Sequence, residues 1–173
     1  DDAVHSIGNV TISGGELTFA SCDDGVHADA SLLINGGVVR VSQSYEGLEG
    51  LNIAIASGTI AVLASDDGVN ASGGTDGSGM MNPFGGRDQF AAGSSSLVVS
   101  GGYLYVDAGG DGLDINGTIE MSDGTVIVNG PTNDGNGPLD YTGTFNMNGG
   151  FLVAVGSSGM ALAPSNSSLQ YSV

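Results

Sequence analysis

A pair of small residues ending in glycine returns along the whole chain, flanked on both sides by alternating apolar and polar residues. No other feature restricts the fold as strongly. Gly14-Gly15, Gly36-Gly37, Ser57-Gly58, Gly101-Gly102, Asp123-Gly124 and Gly149-Gly150 form one column, with separations of 22, 21, 44, 22 and 26 residues. A period of about 22 residues fits a parallel β-helix or another strand solenoid, in which each repeat is one coil.

Each turn is preceded by an alternating triplet: Val10-Thr11-Ile12, Leu32-Leu33-Ile34, Ile53-Ala54-Ile55, Leu97-Val98-Val99, Ile119-Glu120-Met121 and Phe145-Asn146-Met147. Side chains alternate faces along a strand, so the first and third residue of each triplet face inward. After the turn the inward pairs are Leu17 and Phe19, Val39 and Val41, Ile60 and Val62, Leu104 and Val106, Val126 and Val128, and Leu152 and Ala154. The 32 glycines are therefore turn residues between strands and not a sign of disorder.

The return path of each coil carries an acidic phrase, seen most fully in Asp23-Asp24-Gly25-Val26-His27-Ala28-Asp29. Its apolar member supplies a third inward column of Val4, Val26, Leu48, Val69, Leu113 and Leu139. The expected fold is all-β: a single parallel β-helix domain over 1–173, of about seven coils, beginning partway through a coil as a processed or trimmed fragment would. A lateral loop near 73–95, with Met80, Met81, Phe84 and Phe90 pinning it to the helix side, explains the doubled spacing better than a degenerate coil. A smaller excursion lies between Asn129 and Pro138, and Leu169, Tyr171 and Val173 form a last alternating segment over the open end. Cys22 has no disulfide partner and reads as a buried small hydrophobe.

The polar residues on either side of the phrase's Gly-apolar pair are expected to face away from the core in two columns. One reads Asp2, Asp24, Glu46, Asp67, Asp111 and Asp134; the other reads His5, His27, Glu49, Asn70, Asp114 and Asp140. Carboxylates stacked at the spacing of neighbouring strands, about 4.8 Å, repel unless protons or cations intervene. Calcium suits them, since it takes six to eight oxygens, and the carbonyls at the phrase glycines are expected to contribute. The histidines are poor partners for a hard ion and read as hydrogen-bonding or sugar-contacting residues, with zinc ligation as the alternative.

The formal net charge is -17, and Arg40 and Arg87 are the only Lys or Arg residues, which excludes a surface for gripping nucleic acid or anionic lipid. No apolar stretch is long enough to cross a membrane as a helix. An aromatic outer face with Tyr103 and Tyr105, beside Thr125 and Ile127 and then Phe151 and Val153, can stack on sugar rings or serve association.

The phrases Ser44-Tyr45-Glu46-Gly47-Leu48-Glu49-Gly50, Ser65-Asp66-Asp67-Gly68-Val69-Asn70-Ala71, Gly109-Gly110-Asp111-Gly112-Leu113-Asp114 and Gly130 through Tyr141 resemble a bacterial surface family of carbohydrate-binding domain proteins. The resemblance runs from about Val10 to Val155. It implies a right-handed parallel β-helix, similar in shape to calcium-dependent pectate lyases, that carries several calcium ions and binds acidic polysaccharide such as polygalacturonate outside the cell. By matched phrases it implies Asp24, Glu46, Glu49, Asp67, Asp111, Asp114, Asp134 and Asp140 as calcium ligands, with His27 departing from the usual acid or amide. His27, Asn70, Arg87, Tyr103 and Tyr105 are the candidate ligand-contacting residues. The alternatives are a uronate lyase, for which the chain lacks any lysine base, a carboxylate-pair hydrolase, and an adhesin merely stiffened by calcium.

Overall fold

The structure, a computed structural model, describes residues 1–21, 23–71, 95–160 and 162–170. All regular structure among them is β. The strands are β1 (Val4–Ser6), β2 (Asn9–Ala20), β3 (Val26–Gln43), β4 (Leu48–Ala64), β5 (Val69–Ala71), β6 (Ser95–Ala108), β7 (Leu113–Ile115), β8 (Gly117–Asn129), β9 (Leu139–Tyr141), β10 (Phe145–Met147) and β11 (Phe151–Val155). Every pairing is parallel and joins one coil to the next, as a parallel β-helix requires.

The long strands run straight through the glycine turn, where the register slips between Ile34 and Val38 and again between Val99 and Tyr103. The second member of each small pair takes the strain. Gly15, Gly37, Gly58, Gly102, Gly124 and Gly150 have φ between 81° and 106°, and no other described residue has positive φ. Only glycine reaches that region without steric cost, which fixes the turn column in the sequence. These six turns define six complete coils. In place of a seventh, residues 162–170 lie along β10 without forming a strand: Ser165 Oγ accepts from Phe145 N at 2.9 Å and Ser168 Oγ from Met147 N at 3.0 Å.

The three inward columns form the core as the alternation predicts. Leu32, Ile34, Val39, Leu48, Ile60, Val69, Leu97, Val106, Leu113 and Val128 are fully buried or within 1% of it. Like side chains stack coil on coil, as the pairings Leu32 with Ile53, Ile53 with Leu97 and Leu97 with Ile119 show. Each such side chain contributes about 1.5–3 kcal/mol by leaving water. A fourth inward position lies two residues past the phrase's apolar residue and contains the buried Ala28, Ala71 and Ile115. Alanine and glycine there carry too little apolar signal for the column to be read from sequence.

Strand β4 pairs directly with both β5 and β6, so 65–71 and 95–108 belong to one coil and the doubled spacing conceals no extra rung. The expected lateral loop itself lies outside the described residues, as do Met80, Met81, Phe84, Arg87 and Phe90, along with Cys22, Tyr171 and Val173.

The phrase glycines serve packing and not a sharp turn, contrary to the expectation from sequence. Gly25, Gly47, Gly68 and Gly112 have no positive φ. A Cβ at Gly25 would lie 2.6 Å from Val41 Cγ1 and 2.7 Å from the Gly47 carbonyl oxygen. At Gly47 it would strike Val62 Cγ1 and the Gly68 carbonyl, and at Gly68 it would strike Val106 Cγ1. The corner of each coil is closed so tightly by the second strand that only hydrogen fits. Gly47→Ala is therefore expected to destabilise the fold by about 1–3 kcal/mol in urea unfolding, as overpacking does. Gly14→Ala, where nothing lies within 4 Å, is expected to change stability by less than about 0.5 kcal/mol. Equal effects at the two positions would refute the close-packed corner.

Candidate functional site: a two-row carboxylate ladder

Parallel register turns the acidic phrase into two rows of polar side chains. In the row that follows the apolar residue, His5 pairs with His27, His27 with Glu49, Glu49 with Asn70, Asn70 with Asp114, and Asp114 with Asp140. The row that precedes the glycine is set by ladder bonds from Gly25 N to Glu46 O, Gly47 N to Asp67 O and Gly68 N to Asp111 O. In the next rung, however, Gly112 N bonds to Gly137 O, so Gly137 and not Asp134 continues the row. The insertion between Asn129 and Pro138 displaces Asp134 to an exposed position, where Ser157 Oγ donates to it at 2.6 Å. Asp134 does not join the other candidate ligands.

The rows do not project into solvent as the alternation suggests. Asp24 and His27 are fully buried, and Glu49 and Asn70 are each 5% exposed. The residues before the glycine and after the apolar residue bend toward one another; Asp24 Oδ2 lies 3.5 Å from His27 Nδ1, so the rows occlude each other. His27 and Asn70 are therefore shielded from solvent, not exposed as a sugar-contacting role suggests. His27 is stacked on His5 with ring centroids 4.7 Å apart, and Asn70 donates to Glu46 Oε2 at 2.8 Å. Glu46, Asp67, Asp111, Asp114 and Asp140 remain partly open.

The acids also hold the backbone. Asp67 Oδ1 accepts from Asp111 N, and Asp111 Oδ1 from Gly137 N, both at 2.6 Å, while Asp2 Oδ1 accepts from Asp24 N at 3.3 Å. The carbonyls of Glu46, Gly47, Asp67, Gly68, Asp111 and Gly112 all accept inter-coil bonds, which occupies one lone pair of each.

Crowding raises the carboxyl pKa values. Glu46 is pushed up to about 8, first by burial and then by Asp24, Asp66 and Asp114, against the Asn70 amide. Asp67 is pushed up to about 8 by burial, Asp114 and Asp66, and Asp114 to about 7 by burial, Asp111 and Asp140. Asp24 and Asp111 are raised, burial again being the main cause. Two ways exist to relieve this charge: protons on the acids, or cations between them. Donor atoms of Asp67, Asp111 and Asp114 lie within 4.8 Å of one another, as do those of Asp24, His27 and Glu49 and those of Asp2, His5 and His27. The Asp67 group is all oxygen, as is a fourth group of Asp2, Asp23 and Asp24. In the same rows Asn70 Oδ1 is a buried oxygen without a hydrogen-bond partner, a further donor suited to a hard cation.

Tyr103 and Tyr105 lie on the outer face of the second strand. Tyr103 sits between Thr59 and Thr125, and Tyr105 between Ala61 and Ile127. Arg40, Ala61, Leu63, Tyr105 and Asp107 line a shallow cavity of about 250 Å³ there. Arg40 Nη1 donates to Glu16 Oε1 at 2.7 Å. The sequence reading overlooked Asp2, Asp29 and Asp66 as site residues, although Asp2 stands in the first column and Asp29 follows His27 by two positions.

Residues 1–83 match a family model described as carbohydrate-binding domain-containing protein. No curated protein matches the chain, and no solved structure does. The matched stretch contains the ladder from Asp2 and His5 to Asp67 and Asn70.

The raised acids fix the sign of a pH effect. Folded-state values near 8, 8 and 7 for Glu46, Asp67 and Asp114 stand above ordinary values of 4.5, 3.8 and 3.8. The stability these groups contribute is complete below the ordinary values. As pH rises through the interval up to about 8, the unfolded chain sheds protons that the fold retains, and stability falls. In chelator, the thermal midpoint is expected to drop between pH 5 and pH 8, with a shallower drop in Glu46→Gln. A midpoint that stays level or rises across that interval would contradict the charge conflict.

Proposed function

We propose that this chain is a non-catalytic module that binds acidic polysaccharide of the polygalacturonate type, with calcium ions on the carboxylate ladder bridging protein and uronate carboxylates. The observation that carries this reading is the convergence of Asp67, Asp111 and Asp114, whose oxygens lie within 4.8 Å of one another at a partly open edge. Glu46 and Asp140 flank them on the same rows. A bound hard cation supplies positive charge there, and its preference for six to eight oxygens leaves positions for ligand and water. With a net charge of -17, two polyanions can meet only through such ions. The family match over residues 1–83 supports a carbohydrate as the partner. Because polysaccharide of this class lies outside cells, the reading places the module in an extracellular or cell-surface setting.

Catalysis by uronate elimination needs a base beside the sugar's acidic proton. The chain has no lysine, and Arg40 is engaged with Glu16 on the outer face. Unsaturated product is therefore not expected from pectate.

Titration calorimetry with polygalacturonate, in calcium and after chelation, tests the reading. Binding is expected in calcium and not in chelator. Asp111→Asn combined with Asp114→Asn is expected to weaken it by about tenfold or more, equivalent to about 1.4 kcal/mol. Undiminished binding by the chelated, folded protein would sink calcium bridging. Calcium that raises the thermal midpoint while no acidic glycan binds would leave a stiffened rod and sink the sugar reading.

A further inference from the structure

The first rungs of the ladder differ in chemistry from the middle ones. His27 Nδ1 lies 3.2 Å from Glu49 Oε2, 3.5 Å from Asp24 Oδ2 and 3.6 Å from Asp2 Oδ2. The ring is fully buried, and neither nitrogen makes a hydrogen bond of good geometry. On the far side, Nε2 lies 3.3 Å from Asp29 Oδ1, which also contacts His5 Nε2 at 3.2 Å.

This arrangement has a direct consequence for the tautomer. A proton on Nε2 is attracted to Asp29, leaving the Nδ1 lone pair facing three carboxylates, which repels unless a carboxyl proton or a cation lies among the four atoms. A carboxylate behind an imidazole is the usual means of orienting a metal-bound histidine. Protonating Nδ1 instead would satisfy only one of the three oxygens.

We propose that Asp24, His27 and Glu49, whose donor atoms lie within 4.8 Å of one another, form a transition-metal site of the zinc class, separate from the rung of Asp67, Asp111 and Asp114. These three donors, one nitrogen and two oxygens, leave the fourth position of a tetrahedral zinc to Asp2, whose Oδ2 lies 3.6 Å from Nδ1, or to water. Ligands at about 2.0–2.2 Å from the ion stand about 3.3–3.6 Å apart, close to the separations around Nδ1. The imidazole disfavours calcium, which takes oxygen ligands, and favours zinc. Asp29 orients the ring, and His5 stacks against it without ligating. The site does not depend on polysaccharide binding by the chain.

The test is zinc binding to metal-stripped protein in excess calcium, with X-ray absorption of the zinc-loaded chain. One equivalent of zinc is expected to resist calcium, with a single imidazole and oxygen donors in its spectrum. His5→Asn is expected to keep the ion and His27→Asn to lower its affinity by more than tenfold. Zinc displaced by calcium, a spectrum with no imidazole or with two, or full retention by His27→Asn would each overturn the site. The spectrum of the unaltered chain decides the matter even if His27→Asn does not fold. Polygalacturonate binding in calcium is read separately, so loss of either result leaves the other interpretable.

Discussion

Every rung of this protein repeats its chemistry at the spacing of hydrogen-bonded strands, about 4.8 Å, and the rest of the structure follows from that distance. For apolar residues the repetition is favourable, because each Leu, Ile or Val covers the like residue below. For carboxylates it is adverse: two unit charges at that spacing, with an effective dielectric of about 20, oppose one another by about 3–4 kcal/mol. Core and ladder are thus opposite results of one geometry, separated by a single glycine at each corner.

That glycine links them physically. Because Val41, Val62, Val106 and Val128 press on Gly25, Gly47, Gly68 and Gly112, the chain bends at the closed corner. The side chains before and after it, such as Asp24 and His27, then converge on one side. Alternation places the row after the apolar residue outward, and in direction it is right; Asp24 stands two positions before Val26, across the glycine, where alternation alone does not place it outward. Alternation also cannot show that two outward rows separated by a tight corner bury each other. The same sequence signal, Asp-Gly-apolar, reads equally well as a sharp turn, and only the absence of positive φ together with the filled corner distinguishes the two.

What was legible in the sequence was whatever the period of two and the period of about 22 both mark. The three inward columns, the six strained turn glycines and the row from His5 to Asp140 have side-chain types that recur in register. What was not legible depended on a local break in that register or on small side chains. Asp134 looks like a rung because it precedes a glycine, yet the insertion hands its place to Gly137. Ala28 and Ala71 are core but too small to mark a column. The exposure of His27 depends on Asp2 and Glu49, which lie 25 and 22 positions away, and no local pattern reports it.

The two ends of the ladder therefore resolve the same charge conflict differently. At Asp24, His27 and Glu49, burial is nearly complete, so an ion held there as proposed would be enclosed by the protein. At Asp67, Asp111 and Asp114, one oxygen of each of the first two acids is committed to a backbone N–H of the following coil, and the rows stay partly open. An ion there meets fewer protein oxygens than it can accept, so its remaining positions must go to water or to an incoming carboxylate. Open coordination is what separates a rung that can recognise a ligand from one that only holds the coils together. A cation that binds the assembled rows and not the unfolded chain would also stabilise the fold. On the proposed reading, recognition and stability are coupled in the open rungs, where Glu46, Asp67 and Asp114 would exchange protons for metal as a polyanion approaches.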